Sequence, residues 1–113
     1  MVNRRRGERE LVLGERRFRL CLTLGALAEL EATFGVDDLA SLAERFNTGR
    51  LAAQDVITIL TCAMRGGGHE MSEAEVAALH GPDGVSPLVE GALAALEAAF
   101  GVDAPNPPQA QTG

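Results

Sequence analysis

Few residues in this sequence are of types that perform chemistry, and none has the spacing such chemistry needs. His69 and His80 are the two histidines. A helical zinc-protease motif carries a second histidine four residues after the first, and His69-Glu70 lacks it. Cys21 and Cys62 are too few and too far apart for a zinc site or a disulfide framework. Each has apolar neighbours and reads as a small hydrophobe. Ser72 and Ser86 lie outside any Gly-x-Ser-x-Gly elbow and suit helix caps better than nucleophiles. Glu29 and Glu31 are two apart on a helix and so point in different directions. Glu73 and Glu75 fall in a first helical turn, where negative charge is favoured in any case. Gly66-Gly67-Gly68 is followed by neither the lysine nor the hydroxyl of a phosphate loop, and reads as a flexible joint. With no tryptophan and no tyrosine, an aromatic-lined ligand pocket is disfavoured. The expectation is a binding module with no catalytic residue, no metal and no cofactor.

The elements that would position these residues are organised around Thr23–Leu39, TLGALAELEATFGVDDL. Leucines at 24, 27 and 30 and Phe34 place an apolar stripe on a helix and do not fit a strand's alternation. Thr23 is placed as N-cap, Leu22 could staple against Leu27, and Gly35 supplies a left-handed stop. A near copy recurs, GALAALEAAFGVD at Gly91–Asp103 against GALAELEATFGVD at Gly25–Asp37. Either alanine-rich helices ending in Phe-Gly merely resemble each other, or the two present equivalent faces. Related surroundings for Leu27 and Leu93 would favour the second.

A length of 113 residues suits one domain, and no run approaches the roughly 20 apolar residues of a membrane span. The start, MVNRRRGERE, has basic residues with no apolar run behind them, so a cytoplasmic location is the default. The net charge of −6 hides an asymmetry. Residues 1–20 hold seven arginines against three glutamates, a local charge of +4, which leaves −10 for the remainder. A basic arm on an acidic body predicts docking onto an acidic protein surface or a neighbouring copy. The expected contact residues are Arg4, Arg5, Arg6, Arg16, Arg17 and Arg19. Nucleic acid is a weaker partner, because the basic segment has only Phe18 for stacking and phosphates would repel the body.

In chain order, residues 1–9 read as a flexible basic arm and 10–101 as a single domain. Alternation around Gly14-Glu15 predicts a hairpin with Phe18, Leu20 and Leu22 on one face and Arg17, Arg19 and Cys21 on the other. Such a ribbon is marginal alone and must lie on the helices. Asp37 or Asp38 can cap a short helix through Phe46, which Asn47-Thr48-Gly49 would break. A helix from about Ala52 to Met64 has the widest apolar stripe and should be central in the core. Ser72 and Glu75 form a capping box, and Ser86-Pro87 starts a last helix that ends at Gly101. Residues 102–113, VDAPNPPQAQTG, should be a disordered Pro-rich tail. The fold class is mainly α, or α+β with a minor sheet: an N-terminal β-hairpin packed on about five helices.

Four segments together resemble one family: RRRGE, ELVLGERRFRLCLTLGALAELEATFG, LASLAERFNTGRLAAQDVITIL and RGGGHEMSEAEV. It is the small tail protein of gene transfer agents, phage-derived particles that move host DNA between bacteria. The resemblance covers roughly residues 3–101 and includes no catalytic motif. It implies action in the producing cell's cytoplasm or within a virion-like particle, with the tape-measure and tail tube proteins as partners. Related proteins are described as tail tube components or as tail assembly chaperones. A tube wall closes through continuous sheet, and one hairpin followed by helices is ill-suited to that. Helical grooves and a mobile joint suit a chaperone coating a long helical tape measure, and that role is the expectation. A structural tail component and a regulatory adaptor are the alternatives.

Overall fold

The computed structural model describes residues 7–47 and 51–101. The tail at 102–113, the break at Thr48-Gly49 and residues 1–6 of the expected arm lie outside the described residues. Strand β1, Glu8–Leu13, pairs antiparallel with β2, Arg16–Cys21. Glu8 and Arg9 already face Cys21 and Leu20 in the ladder, so the hairpin begins two residues before the expected boundary at 10. Leu13 and Arg16 close the two-residue turn, with Gly14 at φ 62°. That is the positive backbone angle a tight hairpin turn requires. Alternation then places Leu11, Leu13, Phe18 and Leu20 on one buried face, as a two-residue side-chain period dictates.

The helices are α1 Leu24–Phe34, α2 Leu39–Arg45, α3 Ala53–Gly66, α4 Glu73–Ala77 and α5 Ser86–Ala99. Thr23 Oγ1 accepts from the Ala26 N–H at 3.1 Å, and Gly35 ends α1 at φ 70°. Asp38 Oδ1 accepts from the Ser41 N–H at 2.8 Å and starts α2. Ser72 and Glu75 close the capping box of α4 through bonds of 3.1 and 2.8 Å. At α5 the cap is Val85 and makes no side-chain bond, so Ser86 is the first helical residue and Pro87 the second.

Helix α3 is the centre of the packing, with contacts to β2, α5, α4 and α1. Eight of its residues are buried, Thr58 and Thr61 among them. Both threonine hydroxyls are bonded: Thr61 donates to the Ile57 carbonyl at 2.7 Å, and Thr58 accepts from Gln54 at 3.3 Å. These bonds offset the desolvation of two buried hydroxyls. Helix α5 covers the apolar face of the hairpin, so the ribbon rests on helices as an isolated one cannot.

Two expectations need correction, and the open question of the near copy is decided. Leu24 is 75% exposed and does not belong to the buried stripe. At 100° per residue the buried arc of α1 centres on Ala26, Leu27 and Leu30, and Leu24 lies roughly 100° away from it. Gly66-Gly67 is not a flexible joint. A side chain on Gly66 would overlap the Cys21 carbonyl, and one on Gly67 would overlap the Arg19 carbonyl. The C-terminal turn of α3 therefore rests directly on the β2 backbone, an approach that only glycine allows. The near-copy helices also differ in setting. α1 packs on α3 and α2, whereas α5 packs on both strands and α3. Leu27 is buried while Leu93 is half-buried, and Glu29 is exposed where Ala95 is fully buried. The likeness of the two helices lies in composition and in their glycine stops, Gly35 and Gly101 at φ 70° and 74°.

Candidate functional site

Two surfaces are candidates: the arginines of the hairpin and a groove between helices. Arg4, Arg5 and Arg6 lie outside the described residues. Arg16, Arg17 and Arg19 are exposed on β2 but do not share one face. Strand alternation puts Arg17 and Arg19 on the outer face, whereas Arg16 stands on the core side at the turn. Its guanidinium covers the Phe18 ring at 5.0 Å. The outer face is mixed in charge. Arg17 pairs with Glu10 at 3.2 Å, and Arg19 stands opposite the same glutamate in the ladder.

The turn after α3 completes this region. His69 Nε2 accepts the Arg19 backbone N–H at 2.9 Å, and its ring meets Phe18 edge-on at 5.5 Å. The imidazole is half-buried. Two glycines and a histidine thus seal the outer edge of β2. The sequence hides this, because the partner is fifty residues away. His80 is exposed at the following turn. Among the described residues no group of three or more His, Cys, Asp or Glu side chains could hold a metal ion.

On the opposite flank of α3, Glu29 Oε1 receives both the Cys62 thiol at 3.5 Å and the Arg65 guanidinium at 3.3 Å. Burial, then the hydrogen bond and negative charge of Glu29, pushes the Cys62 thiol up to about 11. A thiol so shifted is a poor nucleophile at neutral pH and ties α1 to α3 instead.

The groove lies between the first half of α3, helix α4 and the start of α5. Its volume is about 170 Å³, and Val56, Ile57, Leu60, Val76, Leu88 and Val89 line it. Every lining side chain is apolar, and Val85 at its rim is 60% exposed. Cavities near 150 Å³ accept a molecule the size of benzene. The space therefore suits one or two apolar anchor side chains rather than a whole helix. Glu73, Asp83 and Glu90 lie on the lining elements or next to them, and none makes an ion pair among the described residues. Residues 53–64 and 72–90 contain no arginine or lysine.

The profile of a family described as "Phage tail tube protein, GTA-gp10" matches residues 6–102. This chain belongs to that family. The match spans the hairpin and all five helices, so the resemblance seen in four separate segments holds along one continuous stretch. Membership of this phage-tail family marks a structural, non-enzymatic kind of protein with tail components as its setting. No helix among the described residues is long and apolar enough to cross a membrane. No curated protein and no solved structure matches the chain.

Proposed function

We propose that the chain is a tail assembly chaperone of a gene transfer agent. In this role it receives apolar anchors of the tape-measure or tail tube protein in the groove between α3, α4 and α5. The open, wholly apolar groove carries this reading. Exposed apolar surface is costly to leave in water, and a concave apolar strip suits the anchor side chains of an amphipathic helical client. The sheet argues in the same direction. Among the described residues it has two strands, too few to line a channel by itself. Such a chaperone works in the cytoplasm of the producing cell.

One observation favours a second role as a structural tail component. The Arg19 N–H points away from β1, toward His69. By the ladder pattern Glu10 opposite it points its backbone groups away from β2. That edge of β1 has no strand partner among the described residues, and an open edge can pair with a neighbouring subunit. Mass spectrometry of purified particles separates the two roles. The chaperone reading expects the protein to be required for tail formation yet absent from mature tails. Presence in stoichiometric amounts would overturn it in favour of the structural role. Independence from tail assembly altogether would leave a regulatory adaptor.

A further inference from the structure

The groove has an apolar lining, the stretches that supply it hold carboxylates with no ion pair among the described residues, and the chain carries a segment of complementary composition. Residues 1–6 read Met-Val-Asn-Arg-Arg-Arg, two apolar side chains followed by three positive charges. We propose that the groove between α3, α4 and α5 receives Met1 and Val2 of a second copy, with Arg4–Arg6 against Glu73, Asp83 and Glu90. The inference rests on the reading of the groove as a docking site, and it names what fills it before a tail client arrives.

Volume and charge both favour this occupant. A groove of about 170 Å³ has room for the two apolar side chains and little more. Five carboxylates, Asp55, Glu73, Glu75, Asp83 and Glu90, fall within residues 53–64 and 72–90, the stretches that supply the lining. Asp55 already pairs with Arg45 at 3.7 Å, and Glu75 is engaged in the α4 cap. The other three make no ion pair among the described residues.

Geometry favours a second copy over the chain's own arm. The arm joins the hairpin at Gly7, beside its open end. The groove lies near the turn end, where Leu13 approaches Gly81 and Gly14 approaches Pro82, just before Val85. A six-residue strand separates the two ends by roughly 17 Å. Residues 1–6 fully extended span only about 20 Å. To fill its own groove the arm would have to double back along all of β1 and then cross the 81–85 loop. A neighbour's groove imposes no such reversal. The contact joins different surfaces on the two copies, so it builds a ring if the rotation closes and an open filament if it does not.

The test places the photoreactive residue p-benzoylphenylalanine at Val2 of the full chain. Ordinary and nitrogen-15-labelled chains are mixed, irradiated and mapped by mass spectrometry. Mixed-isotope products joining position 2 to residues 53–60, 76–79 or 85–89 are expected. Products within one isotope only would assign the arm to its own groove and overturn the proposal, as would attachment elsewhere or none. A charge swap gives a second measurement. Replacing Arg4, Arg5 and Arg6 by Glu, or Glu73 and Glu90 by Lys, should each weaken self-association about tenfold or more at low salt. Mixing the two variants should restore it, and wild-type behaviour of either variant alone would overturn the proposal. The same photoreactive residue at Val89, with the particle's tape-measure protein added, separates this inference from the chaperone reading. A tape-measure product without any arm product leaves the chaperone standing and removes the arm. Neither product removes both.

Discussion

The imidazole of His69 accepts the backbone N–H of Arg19 at 2.9 Å and packs its ring edge against Phe18. An outward-facing strand amide is thereby satisfied by a side chain from the turn that follows the central helix. Replacing His69 by Phe keeps a flat ring against Phe18 but removes the acceptor. The expected loss is about 1 kcal/mol in urea unfolding at unchanged denaturant slope, with faster hydrogen exchange at Arg19. Unaltered exchange at that amide would show that the bond does not form in solution.

The two glycines before it give a sharper test. A flexible joint would tolerate Gly66→Ala, since alanine has the higher helix propensity, by about 1 kcal/mol in a helix interior and less in a last turn. The packed geometry predicts the opposite sign. A methyl group at Gly66 meets the Cys21 carbonyl, and one at Gly67 meets the Arg19 carbonyl. Backbone atoms on both sides leave little room to yield. The expected cost is about 3 kcal/mol or more for either substitution. Gly68→Ala meets no neighbouring atom and suffers only from its φ of 96°. A gain in thermal stability for Gly66→Ala would restore the joint.

These glycines also show where sequence reading stops. Features set by a few neighbouring residues were legible: the Gly14-Glu15 turn, the caps at Thr23 and Asp38, and the Ser72–Glu75 box. The stripe of α3 marked it as central, because burial on several sides leaves a wide apolar arc. Gly66 and Gly67 act through a strand some 45 residues earlier, given by the Cys21 and Arg19 contacts, and nothing beside them records it. Leu24 misled because spacing alone does not say where a buried arc begins. The sequence offered helical grooves and a mobile joint, but the joint is packed on β2 and the groove lies elsewhere, between α3, α4 and α5. Val85 became visible as a rim residue only once α4 and α5 were set against α3.

The cap at Asp38 predicts a pH effect. The backbone N–H of Ser41, and then its hydroxyl, hold the Asp38 carboxyl below the usual carboxylate value. A lowered folded value means the carboxylate stabilises the chain above the unfolded value, about 3.9. That contribution fades as pH falls through the still lower folded value. Asn at this position keeps an accepting oxygen without titrating. The stability difference between wild type and Asp38→Asn should therefore be constant above about pH 5 and shift against wild type below about pH 4. Parallel profiles across that range would exclude Asp38 as a titrating cap.

Cys62 and Cys21 should differ in reactivity. The Cys62 thiol, raised to about 11 by burial and Glu29, should alkylate slowly in the native chain at pH 8. The half-buried Cys21 should label first. Because the shift is upward, Cys62 contributes stability below the ordinary thiol value that is lost as pH rises toward 11. Glu29→Gln removes the negative charge and should raise the labelling rate at Cys62. An unchanged rate would leave burial alone to explain the protection.

The hairpin arginines remain as a proposed contact, and the structure changes what their reversal should do. Arg17–Glu10 is an exposed pair, worth about 0–1 kcal/mol, so its loss leaves the fold intact. Arg16 lies over Phe18, and Glu there forfeits that stacking at modest cost. With Arg16, Arg17 and Arg19 replaced by Glu, the fold should persist by circular dichroism while capture of the tail tube or tape-measure protein weakens. The effect should be largest at low salt and shrink near 0.15 M, where charges are screened beyond about 8 Å. Because Glu10 already neutralises part of this face, Glu10→Gln should strengthen capture by the same electrostatic route. Opposite responses of the two variants would establish the face as a cation-bearing contact. Equal capture by both, with the fold retained, would place partner binding elsewhere on the molecule.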